Sequence, residues 1–295
     1  MTPRGRAIGL ALFVTFLWST SWVIIKFGLA DLPPLAFAGL RYAAASLCLL
    51  PFMLRPERLA ALRRLPARRW LALAALGLLY YAATQGAQFV GLKHLPAAAV
   101  SLTLNFTTAL VTALGVGLLA ERPTGWQWAG VAVNLAGVLI YFLPLTLTGE
   151  QTFGLGVALG GTLANALSSI LGRHVNRGRD LDAVTVTGVS MGIGSAALLA
   201  LGLGLEGWPA LRPIHWFYVA WLAVVNTALA FTLWNQTLRA LTASESSLLN
   251  STLLIQIAVL AWLFLGEALT GKEIAGLALA GLGVALVQLA RPHNP

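Results

Sequence analysis

One stretch of this chain occurs twice, and the distance between its copies limits what the chain can fold into. Leu119-Ala-Glu-Arg-Pro-Thr-Gly-Trp-Gln-Trp-Ala-Gly130 runs on through Asn134 and Gly137, and Leu265-Gly-Glu-Ala-Leu-Thr-Gly-Lys-Glu-Ile-Ala-Gly276 runs on through Ala280 and Gly283. A single shift of 146 carries Glu121 onto Glu267, Thr124 onto Thr270 and Gly137 onto Gly283. Chance rarely keeps so many identities in step, and the shift is close to half of the 295 residues. Repetition at a fixed period marks a duplicated architecture, so the chain reads as two copies of one unit, residues 1–146 and 147–295.

Composition says where such a chain lives. It is 58% hydrophobic and 10% charged, with mean hydropathy +0.80, whereas soluble domains carry about 25% charged residues. A bilayer core about 30 Å thick needs about 20 apolar residues per helix. Apolar runs fall near 7–29, 35–54, 70–90, 96–120, 124–144, 153–172, 181–205, 214–238, 242–265 and 271–290. The expectation is an all-α membrane protein of ten transmembrane helices, five per unit. The N-terminal run resembles a signal peptide in its basic start and its small residues Ser19 to Ser21, yet it has a partner at a shift of 147 (Gly9 to Gly156, Ser21 to Ser168, Lys26 to Arg173) and so belongs to the repeat.

A formal charge of +9 would suggest nucleic acid in a soluble protein. Here the arginines sit mostly between apolar runs, so the bilayer, and no nucleic acid, is the implied partner. With a cytoplasmic N-terminus, one side collects Arg4, Arg6, the arginines of 55–69, Arg122, those of 173–179, Arg239 and Arg291, against Lys26, Lys93, Arg212 and Lys272 on the other. That excess sets the orientation. Five spans per unit then send the second copy in from the opposite face, an inverted repeat, a plan that puts a substrate site near the midplane between the copies. Cys48 is the single cysteine, so no internal disulfide can form, and His94, His174, His215 and His293 are scattered. No metal or cofactor is expected.

Trp18-Ser-Thr-Ser-Trp22 with Lys26, Leu40-Arg41-Tyr42, and the twin segments ending Glu-x-x-Thr resemble the drug/metabolite transporter superfamily, and within it the ten-span EamA branch of bacterial exporters. The likeness covers nearly the whole chain, and Leu265-Gly-Glu-Ala-Leu-Thr-Gly271 is its most specific piece; Ala120, where the second copy has Gly266, departs from it. The resemblance implies a secondary transporter of the inner (cytoplasmic) membrane with both termini in the cytoplasm, commonly exporting amino acids or related metabolites.

Polar groups within hydrocarbon are costly and face a partner or a wet cavity. Tyr81, Thr84, Gln85 and Gln88 recur at i, i+3, i+4, i+7, one helix face, and Ser101, Asn105 and Thr108 do likewise in the fourth run. Across the shift, Ser101 and Asn105 fall on Ser247 and Ser251 beside Asn250, Trp18 and Ser21 on Asn165 and Ser168, and Gln88 on Trp234, next to Asn235. The expected substrate site is a central cavity lined by Trp18, Ser21, Tyr81, Gln85, Gln88, Ser101, Asn105, Asn165, Ser168, Trp234, Asn235, Ser247 and Asn250. The bland alternative is that single hydroxyls tie helices together at about 0.6 kcal/mol each. Arg41 lies about 8 residues past Pro33, roughly 12 Å deep at 1.5 Å per residue; a functional charge and a side chain snorkelling to water are both open. Glu245 reads as part of a Thr242-x-x-Glu245 capping box.

Gly130, Asn134 and Gly137 with Gly276, Ala280 and Gly283 form small faces where backbones approach closely, joining the two halves or two molecules. Gly156-x-x-x-Gly160 and Gly188-x-x-x-Gly192 read the same way. Gly202-x-Gly204-x-x-Gly207 matches the dinucleotide pattern in letters only, for it closes an apolar run. No ATP-binding Gly-x-x-x-x-Gly-Lys-Ser/Thr occurs. A carrier for a small-molecule substrate, acting as monomer or homodimer, is thus the expectation. Efflux of cationic drugs would call for a mid-membrane acid, and a lipid-modifying enzyme would call for a catalytic cluster; neither stands out.

Overall fold

The computed structural model describes residues 3–119, 123–143, 147–177, 181–237, 241 and 249–289, and all regular structure among them is helical. The helices are α1 (Pro3–Leu29), α2 (Pro34–Met53), α3 (Pro56–Arg63), α4 (Ala67–Gly77), α5 (Gln85–His94), α6 (Ala97–Asn105), α7 (Thr107–Leu119), α8 (Gly125–Phe142), α9 (Gly149–Arg177), α10 (Ala183–Glu206), α11 (Pro213–Ala223), α12 (Ala230–Thr237), α13 (Leu253–Leu265) and α14 (Gly271–Leu289). Among the described residues, seven helical stretches are long and apolar enough to cross a membrane: Gly5–Leu29, Pro34–Met53, Ala97–Val116, Gly125–Phe142, Gly149–Val175, Ala183–Glu206 and Gly271–Leu289. The eighth and ninth apolar runs fall in the shorter helices Pro213–Leu229 and Leu249–Leu265. The third lies in the unbroken helical run from α4 to α5.

Local chemistry fixes most ends. Proline begins α2, α3 and α11 at the position where its missing N–H costs nothing. The threonine of the repeated segment caps the following helix in both copies. Thr124 and Gln127 form a reciprocal capping box at α8, and at α14 the Thr270 amide donates to Glu273 Oε2 at 2.7 Å. Gly266 closes α13 at φ +67°, a conformation that favours glycine. The repeated glutamate acts over a longer range. Both carboxylate oxygens of Glu267 accept from the Ala97 amide, at 2.9 and 2.8 Å, capping α6. Glu121 and Glu245 lie outside the described residues.

The arginine-rich residues 55–69, between two apolar runs, hold a short helix, α3. Arg58 Nε on α3 donates to Asp182 Oδ2, 2.9 Å away at the head of α10, fastening the two.

Two pairs of helices matched by the repeat, α8 with α14 and α2 with α10, pack against each other in opposite directions. A Cβ on Gly130 would strike Gly283 O at 2.8 Å, and one on Gly137 would strike Ala280 N at 2.4 Å, so α8 and α14 run antiparallel with backbones touching. Asn134, between these glycines, donates to the Ala280 carbonyl at 3.0 Å. In the same way Gly39 of α2 meets Leu199, and Gly202 of α10 meets Ala36. Within the molecule Gly156 and Gly160 join no helices, since a Cβ at either would meet nothing within 4 Å. The contact face of α9 is Gly154 and Gly161, against His94 and Ala87. Spacing alone left the choice of face open, and the neighbouring third run decides it. Outward, large apolar side chains such as Leu71, Phe153, Leu205 and Phe264 stand exposed, as a lipid-facing surface allows.

Candidate functional site

Two π turns shape the interior. Leu78–Thr84 joins α4 to α5, and Val224–Leu229 joins α11 to α12. They stand at the same place in each unit, 146 residues apart (Leu78 to Val224). Each carries a threonine whose hydroxyl donates five residues back: Thr84 Oγ1 to Leu79 O at 2.8 Å, and Thr227 Oγ1 to Leu222 O at 2.9 Å. A π turn widens the helix locally and is frequent at functional sites. Tyr80 and Tyr81 on the first turn, and Asn226 and Thr227 on the second, line one cavity.

The cavity has a volume of about 440 Å³. Of the residues expected from sequence, Trp18, Ser21, Tyr81, Gln85, Gln88, Ser101, Asn105, Asn165 and Asn250 line it. Ser168 and Trp234 do not. The Ser168 hydroxyl is buried and donates to Asn165 O at 2.8 Å, along its own helix. Trp234 stands behind the wall with its ring 5.2 Å from that of Trp18. The side chain of Asn235 and all of Ser247 lie outside the described residues. Thr84, which the i, i+7 stripe put with Tyr81 and Gln88, is turned by the π segment toward Gly161 O at 3.4 Å.

Sequence reasoning missed Tyr42, Thr107, Asn226 and Thr227 as lining residues. The signal available for the last two was the repeat itself, since Tyr80 and Tyr81 fall on Asn226 and Thr227 at the shift of 146. Tyr42 donates its hydroxyl to Gln85 Oε1 at 2.7 Å and its ring meets Tyr81 edge-on at 5.8 Å, so the aromatic corner is rigid. Asn165 Nδ2 donates to Thr107 Oγ1 at 3.1 Å, joining the walls of the two units. Asn226 Nδ2 donates to Leu17 O and leaves its Oδ1 unpartnered in the wall. The smaller hydroxyls mostly serve their own helices: Ser21 donates to Trp18 O at 2.6 Å and Ser101 to Ala98 O at 2.9 Å.

Arg41 is the charged side chain of the lining among the described residues. It is 5% exposed, so it does not snorkel to water. Its guanidinium carbon stands 4.9 Å from the Tyr42 ring centroid and 5.9 Å from that of Phe89. No Asp or Glu lines the cavity among the described residues, nor does any group of three His, Cys, Asp or Glu side chains converge to hold a metal.

A helical bundle with an apolar outside and a polar chamber drawn from both halves is a multi-pass membrane protein of the transporter class. Residues 5–143 and 152–289 each match the EamA-like transporter family, and the chain belongs to that family; it fits the wider drug/metabolite transporter superfamily. The chain is 31% identical over 219 residues, 74% of its length and 64% of the relative's, to the probable amino-acid metabolite efflux pump of Escherichia coli. It is 24% identical to the uncharacterized transporter YoaV of Bacillus subtilis, over 87% of this chain and 88% of that one. A protein of known crystal structure shares the fold with a TM-score of 0.65 at 20% identity, covering 97% of each chain.

Proposed function

We propose that this transporter exports small metabolites, amino acids foremost, from the cytoplasm by alternating access, with its two units inverted in the inner membrane and both termini in the cytoplasm. The observation that carries this reading is the chamber of about 440 Å³, whose walls come from both units and offer amides, hydroxyls and aromatic faces. Such a lining suits a polar head group with a large apolar or aromatic side chain. Antiparallel packing of α8 on α14 and of α2 on α10 supports the inversion. The name of the Escherichia coli relative supports an amino-acid cargo. The carrier works as a monomer or homodimer and needs no cofactor; it is a carrier and not an enzyme.

Purified protein in liposomes loaded with labelled amino acids, with and without an imposed pH gradient, tests this. Time-dependent release is the expected result, and its response to the gradient decides whether proton movement is coupled. Inert vesicles that instead convert lipid to product would replace the reading with an enzymatic one. Thiols placed at positions 121 and 267 should label from opposite sides of the membrane; labelling from one side would end the inverted arrangement.

A further inference from the structure

We propose that Arg41 is the docking point for a carboxylate on the cargo, so that the chamber selects acids and amino acids over amines; this rests on reading the chamber as the cargo site. A cation that is 5% exposed and within a membrane-spanning helix is costly unless an anion or fixed dipoles answer it. The rings of Tyr42 and Phe89 supply part of that answer by cation–π attraction. They do not satisfy it by hydrogen bonds: Arg41 Nε is buried and has no hydrogen-bond partner. Glu206, the carboxylate that reaches α2, is already committed to the amides of Leu35 and Ala36, at 3.2 and 2.8 Å. The guanidinium edge is a planar fork that fits a carboxylate with two parallel hydrogen bonds, and the side chain lines the chamber. What the described residues withhold from Arg41, a carboxylate, is what a carboxylic acid or amino acid brings.

The site is single. At a shift of 146 or 147, Arg41 falls on Thr187 or Gly188, neither of them basic, so one unit holds the anion and the other contributes neutral amides. A cationic amine entering the same space meets a positive charge and, among the described residues, no acid to offset it.

The test compares 3-phenylpropanoate with phenethylamine, which share a ring and differ in the charge of the head, binding to the detergent-solubilised full chain. Tryptophan fluorescence reports it, because Trp18 and Trp22 line the chamber. The carboxylate should saturate and the amine should not. Arg41→Gln should weaken carboxylate binding at least about tenfold, with Arg41→Lys, which keeps the charge and loses the fork, in between. Equal affinity for the two ligands on the unaltered chain overturns the proposal, and does so whether or not a variant folds; unchanged carboxylate affinity in a folded Arg41→Gln protein also overturns it. Liposomes loaded with labelled phenylalanine separate this from the export reading. Carboxylate binding lost in Arg41→Gln beside unaltered protein that moves no amino acid upholds the anchor and overturns amino-acid export. Phenylalanine release at the full rate by Arg41→Gln upholds export and overturns the anchor.

Discussion

In the first unit the π turn Leu78–Thr84 brings Tyr80 and Tyr81 to the chamber, and 146 residues later the π turn Val224–Leu229 brings Asn226 and Thr227 to the same chamber. The backbone device is the same, and the side chains it presents are not. The first unit also supplies Arg41, Tyr42, Gln85 and Gln88, so its wall is aromatic, amide-rich and positive; the described second wall is Asn165, Asn226, Thr227 and Asn250 with Leu253 and Ile257. Helix packing holds both units to one backbone plan, because backbones in contact leave no room for change. The lining touches only the chamber and can differ between units, which is how a near-symmetric scaffold can hold an asymmetric molecule.

If that division between fixed joints and variable walls is right, the largest effect belongs to a joint. Gly137→Leu drives a Cβ to 2.4 Å from Ala280 N, and it should cost about 3 kcal/mol or more, seen as a steep loss of melting temperature and of recoverable protein. Gly156→Leu, with nothing within 4 Å of its Cβ, should melt like the unaltered chain. Equal behaviour of the two would break the comparison.

Substitutions in the walls should spare the fold and change transport. Gln85→Ala with Asn105→Ala removes two polar groups of the first wall and should slow amino-acid release about tenfold. Asn250→Ala on the second wall should slow it about threefold, the worth of one hydrogen bond near 0.6 kcal/mol. Initial rates from liposomes at matched protein content measure both, and a double variant with full activity would remove the chamber from the transport path.

Smaller again is the polar tie within the α8–α14 joint. Asn134→Ala deletes the 3.0 Å bond to the Ala280 carbonyl and should lower stability by about 0.6 kcal/mol; a loss several times larger would mean the joint rests on this amide more than on close packing.

The smallest effect lies at the Arg58–Asp182 staple. Burial pushes the Asp182 carboxyl up, but hydrogen bonds from Arg58 and from the Thr185 amide and hydroxyl outweigh it and hold it below the ordinary value. A carboxyl held low in the fold adds stability at pH above its unfolded value near 3.9, and that stability fades as pH falls through the lower folded one. The group is half exposed, so the term is a few tenths of a kcal/mol. Melting curves of the unaltered chain and Asp182→Asn should differ slightly at about pH 6 and converge toward about pH 3; a gap that widens in acid would reverse the sign.

Much of this was legible in the chain. A shift of 146 gave two units, apolar runs gave the helices, and small residues at Gly130, Gly137, Gly276 and Gly283 gave the joint, because each is a local or periodic property of the polymer. Spacing at i, i+4 and i+7 put Tyr81, Gln85 and Gln88 on one face, and all three line one chamber. It misjudged Thr84, because a stripe drawn at 3.6 residues per turn cannot anticipate the π turn that rotates it away. It left open whether Gly156 and Gly160 meet a helix of this chain or of a second molecule, and no helix of this chain meets them, because a glycine motif names a possible face and not what comes to it.

Arg41 draws the line most clearly. From sequence its depth allowed either a side chain reaching to water or one held inside, and composition alone had no means to choose. Long-range packing chose: Phe89, from a helix more than forty residues away in the chain, and Tyr42 beside it close over the guanidinium and leave Nε without a partner in the protein. Sequence sets what each segment can be, since periodicity and hydropathy act over neighbouring residues. Only the assembled helices settle what each side chain meets, since those contacts join residues whose distance in the chain carries no information about their distance in space.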